Sequence, residues 1–465
     1  WVRFLKSAGQ RYWQILPLGP TGWGDSPYQS FSAFAISPYY IDLDTLAGQG
    51  LLKEQEPSAA AWGRRADKTD YAALYRRREP LLRAAFARFK PGGEFHDFRA
   101  KNSFWLEDYG FFMALKKKRR GRSWLDWERG LRFRDDKTLA RQRKACVPDI
   151  EYHAFVQYLA YTQWKSIKDY ANSQGVQVIG DIPIYVAMDS ADTWSQGELF
   201  YLDGERRPVC VSGCPPDPFS AEGQLWGNPL YRWDVMGKTG FAWWLARLRV
   251  CLGLYDVLRI DHFRGLESYY SIRAGAANAR EGEWIKGPGL GFIGAVKANL
   301  PGANIIAEDL GCLTPEVRAL QKASGFPGMK VLQFAFDSRE GADYMPYNYE
   351  RDSVVYTGTH DNTTALGWFA SARPEDVKTA LDYFGVKNSR EGNWAFIRAA
   401  LSSAAAAAII PAQDYLGLDG RARMNTPSTL GAGNWRWRML PGAASPELAE
   451  KILRLTGING RCIQR

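Results

Sequence analysis

The sequence predicts an α/β fold: a (β/α)8 TIM barrel with large inserted subdomains, its first strand missing from the sequence. Three observations carry this reading. A helix-then-strand unit with a polar residue at the strand's far end recurs along the chain, which is the unit of a parallel sheet. Seven strand-like runs lie near residues 14, 178, 258, 306, 332, 355 and 424, and one more ahead of Trp1 would make eight. A doubly wound sheet is the structural alternative, but it usually carries a Gly-rich phosphate loop after its first strand, and none is found.

Taken in order, residues 1–5 read as the middle of an amphipathic helix (Val2, Phe4, Leu5), so residues are expected upstream. Residues 12–18 read as a buried strand closed by Gly19-Pro20. The loop 21–30 holds Trp23, Asp25, Ser26 and Tyr28 among turn formers, and is long for a plain connection. Residues 46–147 turn helical and basic and are expected to form an inserted subdomain, leaving 1–45 and 148–465 for the barrel. Its aromatics, Tyr71 to Phe89 and Trp105 to Met113, recur at helical spacing and point to core packing. Asp149 is placed as the cap of a helix that Gly175 stops, with a strand at 176–186 straight after it. A loop-rich insertion over 190–240 is expected to border the active site. Residues 243–254 form a helix leading into the strand at 257. Residues 293–299 are helical, 304–310 a strand, and Thr314 with Pro315 starts another helix. Strands follow at 330–336 and 353–361, an Ala-rich helix at 395–410, and a last strand-like piece at 423–427.

Composition narrows the function classes. The net charge of +10 raises nucleic acid as a partner. Yet 25 of the 60 basic residues fall in 51–150 against 14 acids there, and the rest of the chain is balanced. The runs 76–78 and 116–120 are therefore read as solvated helix faces. No run reaches the ~18 apolar residues of a membrane helix. Six cysteines in this length do not make a disulfide framework, and the C-x3-C of Cys210 and Cys214 lacks a completing pair. Reduced thiols fit a cytoplasm or similar compartment. Neither a metal nor a cofactor is expected.

Residues at the carboxyl ends of barrel strands line the active site. Those ends carry Asp181, Arg259 with Asp261, Glu308 with Asp309, and His360 with Asp361. Arg259 and Asp261 share a strand face, and the Arg is expected to hold the Asp ionised. Alone, that pair reads as a structural ion pair; beside two further acidic strand ends it reads as chemistry. Several carboxylates, an Arg, a His and loop aromatics suit glycosidic cleavage, which needs one ionised and one protonated carboxyl. Of four histidines, His262 and His360 fall in these ends, while His96 and His153 sit in helical context.

Seven ordered segments then make a specific pattern: 16–28 (Leu-Pro-Leu-Gly-Pro-Thr-Gly-Trp-Gly-Asp-Ser-Pro-Tyr), 180–186 (Gly-Asp-Ile-Pro-Ile-Tyr-Val), 215–220 (Pro-Pro-Asp-Pro-Phe-Ser), 223–229 (Gly-Gln-Leu-Trp-Gly-Asn-Pro), 259–265 (Arg-Ile-Asp-His-Phe-Arg-Gly), 306–311 (Ile-Ala-Glu-Asp-Leu-Gly) and 356–362 (Tyr-Thr-Gly-Thr-His-Asp-Asn). On these, residues 10–438 resemble the amylomaltase family of 4-α-glucanotransferases, relatives of the α-amylases. The resemblance implies a retaining double displacement on malto-oligosaccharides and α-1,4-glucans through a covalent glucosyl-enzyme. It puts the nucleophile on Asp261, the acid/base on Glu308 and the transition-state carboxylate on Asp361. It extends substrate binding over Tyr28, Asp25, Ser26, Asp181, Asp217, Phe219, Trp226, Asn228, Arg259, His360 and Asn425. Trp23, Phe219 and Trp226 would form an acceptor platform. It departs from the family at the amino terminus, where the first barrel strand is absent. A cytoplasmic enzyme is expected, with a plastid also open, and oligomeric state is left undetermined. An α-glucan hydrolase using the same three acids is the alternative, and a glucan-binding protein on a dead barrel would need one acid lost.

Overall fold

In the computed structural model every residue is described except 61, 64, 217–219, 312, 340, 341, 432 and 463–465. Among the described residues the strands are β1 (Tyr12–Gln14), β2 (Gln177–Ile182), β3 (Cys210–Cys214), β4 (Gln224–Pro229), β5 (Val257–Ile260), β6 (Ser268–Arg273), β7 (Gly282–Lys286), β8 (Ile305–Ala307), β9 (Gly328–Val331), β10 (Ser353–Tyr356) and β11 (Ala407–Ile409). Seven are parallel, in the spatial orders β1-β2-β5-β8 and β11-β10-β9. The two groups meet at a seam where Ala307 N donates to Pro327 O at 2.9 Å and Met329 N to the Asp309 carboxylate at 2.6 Å. Among the described residues no further strand pairs with the outer edges of β1 and β11, and between them opens a cavity of about 990 Å³.

The parallel strands β2, β5, β8, β9 and β10 are short and mostly buried, as helix-flanked parallel strands are, while β1 and β11 are half-buried. Val178, Leu258, Ile260, Ile305 and Val355 are buried. Leu258→Ala, at a fully buried position, would cost roughly 2–5 kcal/mol. Helices Asp136–Ser173, Ala242–Leu254, Gly289–Asn299 and Pro315–Ser324 precede β2, β5, β8 and β9 in turn. Thr314 caps the last of these by accepting from Val317 N, with Pro315 at the first position. Gly180 is required where β2 meets Tyr255: a Cβ there would lie 2.1 Å from the ring.

Several elements differ from the sequence reading. The helix placed behind an Asp149 cap begins earlier, at Asp136, with the Asp135 carboxylate accepting from Thr138 N at 2.9 Å. Pro148 lies inside it and forfeits one backbone bond. The helix continues because Cys146 and Ile150 are buried on either side. Asp149 pairs instead with Arg83 at 2.7 Å. The helix therefore crosses residues 147 and 148, where the inserted segment was expected to end.

The Ala-rich stretch is helical only over Gly392–Ser402, and its continuation is β11, paired with β10 through Val355↔Ala408. Pairing with a strand edge overrides alanine's helix preference here. Residues 423–427 form no strand, so the seventh parallel strand lies at 407–409 rather than near 424. The run at 330–336 is strand only to Val331 and then a 3₁₀ turn, Leu332–Phe336. The stretch 190–240, read as loop-rich, contributes β3 and β4 to an antiparallel sheet ordered β4-β3-β6-β7. In the basic segment, Lys116 is buried, 2.5 Å from Asp189 and facing the Phe31 ring, so that run is not wholly solvated. No helix among the described residues is long and apolar enough to cross a membrane.

Candidate active site

Register assembles the first half of the site. Asp181 is paired with Arg259 across β2 and β5, and Ile260 with Ala307 across β5 and β8. Asp261 and Glu308 therefore follow one residue beyond the last pair, side by side. Arg259 Nη1 reaches both Asp181 oxygens, at 2.8 and 2.7 Å, and an Asp261 oxygen at 2.9 Å. Its Nε donates to Met329 Sδ at 3.3 Å. Burial by itself lowers the Arg259 guanidinium, but Asp181 and Asp261 more than reverse this and leave it well above its usual range.

The expectation that Arg259 would keep Asp261 an ordinary carboxylate is corrected. Burial pushes the Asp261 carboxyl up to about 7, outweighing the opposing pull of Arg259, and Asp181 and Glu308 push the same way. Its side chain still keeps 29% exposure, so it remains within reach of a ligand. Burial also raises Glu308, against Arg259 and two backbone donors. Those donors are His262 N, to Oε2 at 2.6 Å, and Leu310 N, to Oε1 at 3.0 Å. His262 can donate because it turns left-handed (φ 54°, ψ 50°) straight after Asp261. That conformation costs a non-glycine residue ~1–2 kcal/mol, and the short bond to Glu308 helps offset it. Burial lowers the His262 ring to about 3, so it is neutral.

The second half comes from loops. Tyr28 donates its hydroxyl to Asp181 Oδ2 at 2.6 Å and lies 3.4 Å from His360 Nδ1. Its ring stacks on His360 with centroids 5.0 Å apart, and Trp435 stands 5.8 Å from both. Asp361, 45% exposed, has Oδ1 3.4 Å from His360 Nε2 and 2.7 Å from Asn425 Nδ2. Arg423 Nη2 donates to the Asp361 carbonyl at 2.5 Å, and Asn425 N to that of His360 at 3.0 Å. Together these residues offer two accessible carboxyl groups, a third that is largely buried on Glu308, one fixed cation and a bank of rings. Such a set can bind a sugar, move a proton and meet a developing positive charge.

The 4-alpha-glucanotransferase model of glycoside hydrolase family 77 matches residues 1–443. The chain belongs to that family. The Clostridium butyricum 4-alpha-glucanotransferase is 46% identical over 463 residues, covering 99% of this chain and 95% of the relative. The Thermus thermophilus 4-alpha-glucanotransferase is also 46% identical, covering 97% and 92%. The amylomaltase from Streptococcus agalactiae, solved in complex with acarbose, superposes with a TM-score of 0.96 at 36% identity, covering 99% and 94%.

Within this family member the remaining predicted residues fall as follows. Asp25 is half-buried in a left-handed turn and raised by burial, and Ser26 Oγ accepts from Tyr28 N at 3.3 Å. Trp226 sets its ring edge-to-face against His262 at 4.8 Å. Trp23 stands 89% exposed. Asn228 is buried, donating to Val186 O at 2.9 Å and accepting from Gln29 Nε2 at 3.2 Å, so its amide is engaged inside the protein. Asp217 and Phe219 lie outside the described residues. Sequence reasoning missed Trp435 and Arg423. An aromatic in the Gly-Asn-Trp stretch 433–435 was the one available signal for the former; nothing local marked the latter. Among the described residues no three His, Cys, Asp or Glu side chains cluster to hold a metal ion.

Proposed function

We propose that this enzyme transfers α-1,4-glucan segments between malto-oligosaccharides by a double displacement with retention. The observation that carries the reading is the Asp261–Glu308 pair at neighbouring strand ends, Asp261 touching Arg259 and Glu308 held by two backbone N–H groups. Burial raises both carboxyls, and the charge of Glu308 raises Asp261 further, so the pair keeps a proton to higher pH than an isolated carboxyl does. In the reactive form Asp261, in contact with Arg259, carries the charge and Glu308 carries the proton.

Asp261 attacks the anomeric carbon, and a carbon–oxygen bond to its carboxylate forms as the bond to the leaving glucan breaks. Glu308 gives its proton to the departing 4-oxygen. The 4-hydroxyl of an incoming glucan then attacks the same carbon, Glu308 takes its proton, and the Asp261 carboxylate leaves. Asp361 and His360 grip hydroxyls of the distorted ring, and Tyr28, held by Asp181, stacks beneath it. Trp226 and Trp23 offer flat surfaces on which an acceptor displaces water.

We further propose that the seven parallel strands belong to an eight-stranded barrel. The unpaired edges of β1 and β11 and the cavity between them support this, since closure removes open edges. Incubation with maltotriose tests the activity: glucose plus a ladder of longer chains is expected. Shortening without lengthening would make the enzyme an α-glucan hydrolase using the same acids.

A further inference from the structure

The loop 358–364 carries His360 and Asp361, and its two ends converge on one side chain outside the cleft. Asp414 lies on the short helix Ala412–Tyr415 just after β11, 1% exposed. Its Oδ2 accepts from the Thr357 hydroxyl at 2.6 Å, on the residue where β10 gives way to the loop. Its Oδ1 accepts from Ala365 N at 2.7 Å, on the first residue of the helix Ala365–Ser371 into which the loop runs. Thr357 and Ala365 are themselves fully buried. Asp414 is held in turn by Asn393, whose amide donates to its carbonyl at 2.9 Å.

Inside the loop the chain is tied to itself. Asn362 Oδ1 accepts from Thr359 N at 2.8 Å and Thr359 Oγ1 at 2.9 Å, while Gln333 Nε2 donates to Thr363 O at 2.8 Å. None of these bonds fixes the distance between the loop's ends; the Asp414 carboxylate does.

We propose that Asp414 is a positioning residue for the transfer reaction, its buried carboxylate stapling both ends of the 358–364 loop so that His360 and Asp361 are held against the reacting sugar. The inference rests on the reading above that these two residues serve the substrate. Asparagine at 414 keeps an oxygen for Ala365 N and can turn its amide N–H toward the Thr357 oxygen, whereas alanine loses both ties. A displacement of about 1 Å at a reacting group costs on the order of 10²-fold.

The test is a set of variants in the whole chain, assayed with maltotriose and for acarbose affinity. Asp414→Ala is expected to lower kcat/KM by roughly 10- to 100-fold and weaken acarbose comparably. Asp414→Asn should retain most of both. In an Asp361→Asn background, Asp414→Ala should cost several-fold less than in the parent, because one of the two groups the loop positions no longer contributes. If Asp414→Ala does not fold, Thr357→Val, which removes one tie at nearly constant volume, decides by the same cycle with a smaller loss. Full additivity with Asp361→Asn, or a lowered Tm with unchanged kcat/KM, would overturn the proposal. An Asp361→Asn enzyme with undiminished activity would instead overturn the catalytic reading on which it rests.

Discussion

Asp261 and Glu308 stand one residue beyond paired strands, and their positions follow from the β2-β5-β8 register. His360 and Asp361 stand in a loop past β10, tied by Asn425, Arg423 and Asp414, which lie about 50 to 65 residues further along the chain. The first half has its geometry fixed by backbone ladders in a covered sheet. The second is fixed by a handful of side-chain bonds that a single substitution can release. On the proposed mechanism, bond-making chemistry falls to the stiffer half, and grip on the sugar to the half that can be tuned.

That contrast is sharpest in its largest predicted effect. Asp261→Asn should lose on the order of 10⁴-fold or more in transfer, yet bind acarbose within a few-fold of the parent by calorimetry. A variant retaining appreciable turnover would remove Asp261 from the chemistry. Glu308→Gln should lose ~10²–10⁴-fold with maltotriose. An α-maltotriosyl fluoride donor, whose leaving group needs no proton, should restore the first step. Equal losses with both donors would exclude Glu308 as the acid.

The pH dependence follows from the same pair. Burial raises both carboxyls, Asp261 to about 7, so each holds its proton to higher pH than an ordinary carboxyl. Transfer from maltotriose should therefore fall on the alkaline side as the Glu308 proton is lost, at higher pH than an ordinary glutamate would set. In Glu308→Gln a neighbouring negative charge is gone, so Asp261 should ionise at lower pH. The rate with the fluoride donor should then rise along an acid limb placed below 7. A limb unmoved by the substitution would show that the two groups titrate independently.

In the loop-held half the losses should be smaller and fall on affinity. Asn425→Ala frees Asp361 Oδ1 and should weaken acarbose roughly tenfold, the value of one charge-assisted bond. Trp435→Ala removes the ring beside Tyr28 and His360 and should raise KM by about 2- to 10-fold, with Trp435→Phe recovering part. Losses confined to kcat in these two variants would erase the distinction between the halves.

The same contrast governs what the sequence could disclose. Asp181, Arg259, Asp261 and Glu308 end short apolar runs, so the strand period carried them to one face before any coordinates. The loop-held half was legible only where a strand led into it, at His360 and Asp361. Trp435 and Arg423 reach the site through tertiary folding alone, and Asp414 reads locally as an unremarkable acid. β11 was hidden because alanine favours helix and only the exposed edge of β10 makes it a strand. The level of Asp261 was misjudged because a sequence displays the charge of Arg259 but not the depth of burial that outweighs it.

The most direct test of the account is to find the sugar on the enzyme. Glu308→Gln, incubated with α-maltotriosyl fluoride, digested and analysed by mass spectrometry, should carry a maltotriosyl ester on the peptide containing Asp261, absent when Asp261→Asn is added. An ester on another carboxylate, or transfer proceeding with inversion and no adduct, would contradict it.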